Sequence, residues 1–362
     1  CPEWLGQLLG LQTLNLGRNK LTTLDCSHTG LCKDQWVGQL LDLRALDLSF
    51  NPLGETIGEA CVGRLDRLTS LNLHGIGLCE CPKWLSQLTG LQELSLRGDL
   101  TFGMPFGGAS FGELTGLTTL DLFRSGVCEC PEWMLELTGL QMLSLGGNLE
   151  LGKTLGGARL GRLNRLTALD LSHMELCECP EWLGQLLGLQ TLNLGRNKLT
   201  TLDCSHTGLC KDQWVGQLLD LRALDLSFNP LGETIGEACV GRLDRLTSLN
   251  LHGIGLCECP KWLSQLTGLQ ELSLRGDLTF GMPFGGASFG ELTGLTTLDL
   301  FRSGVCECPE WMLELTGLQM LSLGGNLELG KTLGGARLGR LNRLTALDLS
   351  HMELCECPEW LG

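Results

Sequence analysis

LRALDLSFN, residues 43–51, places leucines at 43, 46 and 48 and closes on an asparagine. Leu46 and Leu48 are two apart, so in an extended chain both point to one side while Asp47 points to the other. The phrase L-x-x-L-x-L therefore reads as a short strand buried on one face. It recurs as LQTLNL at 11, LTSLNL at 68, LQELSL at 91, LTTLDL at 117, LQMLSL at 140 and LTALDL at 166. Successive starts lie 32, 25, 23, 26, 23, 26 and 23 residues apart, which brings the pattern to residue 189. There it begins again: residues 1–178 recur at 179–356 without one substitution, and CPEWLG at 357–362 opens a third copy. Repetition at this period means units that bury their apolar edges against neighbours in a one-dimensional stack. Residues 1–362 are accordingly read as one continuous array of tandem copies.

The repeated phrase and its period resemble the leucine-rich repeat superfamily. The resemblance implies a mostly β, α/β-type solenoid. It would be a right-handed superhelix with a continuous parallel sheet on one face, a back of irregular and 3₁₀ turns, and gentle curvature. Two unit types alternate. The short type has 23 residues (68–90, 117–139, 166–188) and the long type 25 or 26 (43–67, 91–116, 140–165), with a Gly-rich back unsuited to a regular helix. The 32-residue opening unit reads as one oversized coil over 11–42. Ninth in the long units stand Asn19, Asn51, Asp99 and Asn148, repeated as Asn197, Asn229, Asp277 and Asn326. Asparagine at this place in the superfamily implies a hydrogen-bonded turn ladder serving buried backbone groups. The short units carry Ile76, Ser125 and Met174 there instead, so the ladder is expected to be interrupted.

Each short unit also carries C-E-C-P-x-W. By resemblance, Cys81, Cys130 and Cys179, with Cys259, Cys308 and Cys357, occupy a core leucine position, and they are read as buried thiols. Disulfides between successive motifs are disfavoured, because the motif recurs on every second coil, about 10 Å apart at ~4.8 Å per coil. Cys-x-Cys is too tight for structural zinc. No metal and no cofactor is expected. The tryptophan two residues after the proline is placed on the outside of the back, and Trp36 and Trp214 hold nearly the same place in units without that proline. Trp4, Trp36, Trp84, Trp133 and Trp182, with Trp214, Trp262, Trp311 and Trp360, then either pack over the solenoid or form a lateral contact stripe.

Function follows more loosely. The net charge of −15 argues against a nucleic-acid partner, and no apolar run reaches membrane-spanning length. No Ser/His/Asp or Cys/His set stands outside the repeat, so no catalysis is expected. The acidic members of the strand face (Asp25, Asp47, Asp121, Asp170) read as solvated rather than as a calcium site. The leading expectation is a structural protein, a filament or cell-surface fibre associating end to end and side by side. Exact copy identity and a chain that opens in mid-motif at Cys1 suggest it. The alternatives are a module binding a protein or glycan on its strand face, as the superfamily often does, and an engineered repeat. An extracellular location suits a fibre, while free cysteines and the lack of an N-x-S/T sequon point the other way.

Overall fold

The computed structural model describes residues 5, 7–24, 40–57, 65–78, 81–98, 111–202, 218–235, 243–256, 260–276, 289–333 and 338–356. The chain divides into two compact units, Cys1–Met174 and Glu175–Gly362. The first holds β1 (Thr13–Asn15), β2 (Ala45–Asp47), β3 (Ser70–Asn72), β4 (Glu93–Ser95), β5 (Thr119–Asp121), β6 (Met142–Ser144) and β7 (Ala168–Asp170). The second holds β8 (Thr191–Asn193), β9 (Ala223–Asp225), β10 (Ser248–Asn250), β11 (Glu271–Ser273), β12 (Thr297–Asp299), β13 (Met320–Ser322) and β14 (Ala346–Asp348). Within each unit every strand pairs in parallel with the next in sequence.

Register follows the leucines. Leu14, Leu46, Leu71, Leu94, Leu120, Leu143 and Leu169 stand opposite one another along the first sheet, and all are buried. A one-residue slip would turn each of them to the open face, which fixes the pairing. Each such leucine contributes on the order of 2 kcal/mol by burial. Thr13 pairs with Ala45, so 32 residues close a single coil between β1 and β2; most of its back, 25–39, lies outside the described residues. Hydrogen bonding does not stop at the strand. Leu48 N donates to Asn72 O at 2.9 Å and Phe50 N to His74 O at 2.7 Å, and the same two steps recur at Leu96 and Gly98. The turn after each strand is therefore held in register as firmly as the strand.

The back is mostly 3₁₀, as expected from its composition. Pro82, Pro131 and Pro180 each precede a five-residue 3₁₀ turn: Lys83–Gln87, Glu132–Glu136 and Glu181–Gln185. One departure is α1 (Leu149–Thr154), repeated as α2 (Leu327–Thr332), in a Gly-rich back where no helix was expected. LELGKT turns Leu151 and, just beyond it, Leu155 inward, and pairs Lys153 Nζ with Glu150 at 2.6 Å. Burial of that apolar stripe outweighs the propensity cost of Gly152.

Of the two readings of the tryptophans, packing is the one seen, and the outside placement is corrected. Trp84, Trp133, Trp182, Trp262 and Trp311 are at most 8% exposed, not outside the back. Trp133 packs on Phe111 of the preceding coil with ring centroids 4.7 Å apart, and Trp311 on Phe289 likewise. Trp262 Nε1 donates to Ile235 O at 3.2 Å. In a turn of three residues, Trp84 and Leu85 both swing inward, which a strand-like alternation from the proline misses. These indoles are core and leave little surface for lateral contact. Trp4, Trp36, Trp214 and Trp360 lie outside the described residues.

Candidate functional site

Two surfaces are presented by the strands and the turns that follow them. The strand face is small and polar, and its fifth-position column has a structural task. Asn15, Asp47, Asn72, Asp121 and Asp170 each accept, through Oδ1, the backbone N–H two residues on, at 2.8–3.0 Å. These side chains close the bend where the chain leaves the sheet. In the second unit the hydroxyl and amide of Ser350, with Ser322, hold the Asp348 carboxyl below its ordinary range. Asp47, Asp121 and Asp170 never fall on adjacent strands, so their charges do not stack. Among the described residues no group of three or more His, Cys, Asp or Glu is arranged to hold a metal. In the midst of this face one large apolar side chain stands out: Met142, 46% exposed, repeated as Met320 at 50%. Alternation in LQMLSL already points it outward, yet the small residues around it drew the sequence reading away.

Under the turn runs the asparagine ladder. Asn51 is fully buried; Nδ2 donates to Leu48 O (2.9 Å) and to Leu16 O of the previous coil (2.8 Å), and Oδ1 accepts from Leu21 N (3.0 Å). Asn148 does the same for Leu145 O, Leu122 O and Val127 N. Asn229 and Asn326 repeat the pattern, and Asn197 bonds Leu194 O and Leu176 N. The short coils 117–139 and 166–188, which lack asparagine, are thus each served by the coil that follows. Ser125 adds a single bond to Leu122 O at 2.7 Å. Asn19 is exposed and, among the described residues, bonds within its own turn. Asp99 and Asp277 lie outside the described residues.

The cysteines are free thiols where described. Cys81 and Cys179 are buried; Cys130 and Cys308 are half-buried, and desolvation pushes each of these two thiols up to about 11. Such thiols are poor nucleophiles at neutral pH. Cys259 and Cys357 lie outside the described residues. The first cysteines of the motif are more open, Cys177 and Cys355 being exposed.

The second surface was not read from the sequence. Just beyond the strands, one residue per coil adopts a left-handed conformation. Gly75, Gly98 and Gly147 fill three of these places in the first unit, but Arg18, Phe50, Arg124 and His173 fill the others with φ of 53–56°. Their side chains and the neighbouring His74, Arg97 and Phe123 form a ridge. Arg18 lies over Phe50 (4.6 Å) and Phe50 against His74 (4.2 Å); Arg97 and Arg124 lie over Phe123 at 4.4 and 5.4 Å. The second unit repeats it with Arg196 on Phe228, Phe228 on His252, and Arg275 and Arg302 on Phe301. His74, Phe123 and Arg124 each lean over a glycine of the following coil: a Cβ at Gly98 would meet His74 at 2.7 Å, and one at Gly146 would meet Phe123 at 2.8 Å.

Comparison with solved structures agrees with the fold. A leucine-rich repeat protein of Leptospira interrogans superposes with a TM-score of 0.65 at 27% identity, over 95% of this chain and 86% of that one. The chain is a leucine-rich repeat protein. An internalin of Listeria monocytogenes matches at TM-score 0.57 and 19% identity, over 97% of this chain and 87% of that one. The plant peptide hormone receptor RGFR1, solved in complex with RGF2, matches at 0.52 and 22%, over 94% of this chain and 54% of that one. No family model and no curated protein matches the sequence. Among the described residues of this leucine-rich repeat array, no helix is long and apolar enough to cross a membrane.

Proposed function

We propose that the chain is a non-catalytic interaction module, binding a protein ligand across its strand face. One observation carries the reading: a methionine, Met142 or Met320, stands about half exposed in each unit, between a threonine and an alanine on the adjoining strands. Methionine is enriched in the cores of protein interfaces, where its flexible thioether adapts to a partner. The complex of RGFR1 with a peptide hormone shows that a fold of this kind serves such a role in another protein. Ligand binding of this sort suits a surface or secreted location. The test is capture from a surface-protein fraction by the wild type and by a Met142→Asp/Met320→Asp variant. A partner identified by mass spectrometry that the variant loses, with its circular dichroism unchanged, supports the reading. Equal retention by both refutes it.

A second reading is favoured by a different observation, the identity of residues 1–178 with 179–356. Identical copies offer the same surface twice, as a structural array requires and as a receptor with distinct subsites does not. In this reading 1–362 form one uninterrupted solenoid within a filament or surface fibre. Negative-stain images of fibres with a repeat of about 34 Å, seven coils at ~4.8 Å, would support it. Short monodisperse particles would dismiss it.

A further inference from the structure

We infer that the Arg–Phe–His ridge beyond the strands is a docking surface for an acidic peptide segment of a protein partner; the inference rests on the interaction-module reading. Three observations converge. The first is charge: Arg18, Arg97, Arg124, Arg196 and Arg302 are exposed, and none makes an ion pair among the described residues. Only Arg275 approaches a carboxylate, Asp299 at 4.0 Å. In a chain of net charge −15 with acidic groups to spare, these guanidiniums rest on phenyl rings instead. A cation over a ring keeps its hydrogen-bonding edge free, and the guanidinium fork matches a carboxylate.

The second is strain. Phe50 and Phe228 hold φ of 53° and are 42% and 38% exposed. A bulky residue in that conformation is strained relative to glycine, which other coils use at the same place. Retaining an exposed aromatic ring there against that cost suits a contact.

The third is spacing. Arg18 and Arg97 flank the first and fourth of four successive strands, on the order of 14 Å apart at ~4.8 Å per strand. Four residues of extended peptide span about the same distance at ~3.4 Å each. A peptide running across the coils with acidic side chains at every fourth residue meets Arg18 and then the Arg97–Arg124 pair, with its middle over Phe50. A long polyphosphate backbone fits less well, because it must also lie against an acidic molecule.

The experiment is fluorescence anisotropy at low ionic strength. The probe is a fluorescein-labelled 12-residue Gly/Ser peptide with glutamate at every fourth position, set against its glutamine counterpart. The wild type should bind the glutamate peptide at least tenfold more tightly. Replacing Arg18, Arg97, Arg124, Arg196, Arg275 and Arg302 by glutamine should abolish that difference. The same change of charge off the ridge, at Arg67, Arg162, Arg165, Arg245, Arg340 and Arg343, should cost less than threefold. Phe50→Gly/Phe228→Gly relieves the backbone and removes the rings, so it should weaken binding severalfold in a protein no less stable. Equal loss from both arginine sets, equal binding of the two peptides, or equally tight binding of an oligonucleotide of the same charge overturns the proposal. So does a dimer, seen by sedimentation, that the ridge variant dissociates. The Met142→Asp/Met320→Asp variant is titrated alongside. If the ridge fails while a Met142-dependent partner still binds, only this inference falls.

Discussion

Replacing Asn148 by alanine isolates the ladder. The side chain is 2% exposed and makes bonds of 2.8 Å to Leu122 O, 2.7 Å to Leu145 O and 3.0 Å from Val127 N. Alanine takes away the partners of Leu145 O and Val127 N under a covered turn and removes one of the donors to Leu122 O, which keeps Ser125 Oγ at 2.7 Å. At about 1 kcal/mol net per bond, and more where a buried group is orphaned, the loss comes to roughly 3 kcal/mol. Asn19 supplies the internal control. It too bonds two carbonyls, Leu16 O at 2.9 Å and Gly17 O at 3.2 Å, but it is exposed, so water replaces what alanine removes. Asn19→Ala should cost less than about 1 kcal/mol. Urea unfolding followed by circular dichroism measures both. Asn326 makes the same bonds in the second unit, so Asn326→Ala should cost a comparable amount and the pair should be additive within about 0.5 kcal/mol. The reasoning is refuted if Asn148→Ala costs no more than Asn19→Ala. That result would mean that the two-coil bonding adds nothing to stability.

Gly152→Ala tests packing against propensity: a Cβ there would sit 2.1 Å from Met174 O, so the variant should lose more than about 2 kcal/mol instead of gaining the usual ~1 for a helical site. Gly156→Ala, with open space around it, should gain about 0.4–1 kcal/mol, and differential scanning fluorimetry separates the two. Cys130 and Cys308, with thiols pushed from the ordinary 9.0 to about 11, should alkylate at pH 8 about a hundredfold more slowly folded than denatured. Peptide mass spectrometry reads this out, with exposed Cys177 and Cys355 labelling early as the contrast. Desolvation, with Arg275 nearby, holds His252 below its ordinary 6.5, so protonation opposes the fold. Stability should therefore decline as pH falls from about 6.5 through the lowered value, and His252→Gln should flatten that decline in urea titrations at pH 7.5 and 5.5.

How far these features were legible depends on whether one coil or two defines them. Strand position, register and the inward leucines follow from a period of two within a single coil, and LRALDL carried them entire. The asparagine position was legible too, but its reach into the preceding coil was not. Asn148 and Leu122 are 26 residues apart, and only stacking brings them together. The tryptophans were misplaced because a 3₁₀ turn after proline sets its own phase, and because the partner, Phe111 for Trp133, sits on the previous coil. The ridge left a partial trace that a coil-to-coil comparison reveals: three of its bulky side chains in the first unit face a glycine in the next coil. His74 precedes Gly98, Phe123 precedes Gly146, and Arg124 precedes Gly147.

These relations share one logic. Asn148 serves its own coil and the coil before it; Trp133 of a short coil needs Phe111 of the long one; Phe123 needs the gap that Gly146 leaves. In each case one member of a neighbouring pair carries a group that the other lacks. A single ideal coil repeated would set ring against ring, with no glycine to receive the side chains above. Alternation of short and long coils resolves that conflict, so the smallest self-consistent element is the pair. Where the pairs meet the surface, the same alternation leaves a spaced row of arginines on aromatic rings, framed by glycine. The groups that pack the turns are therefore also those that give each unit this basic edge.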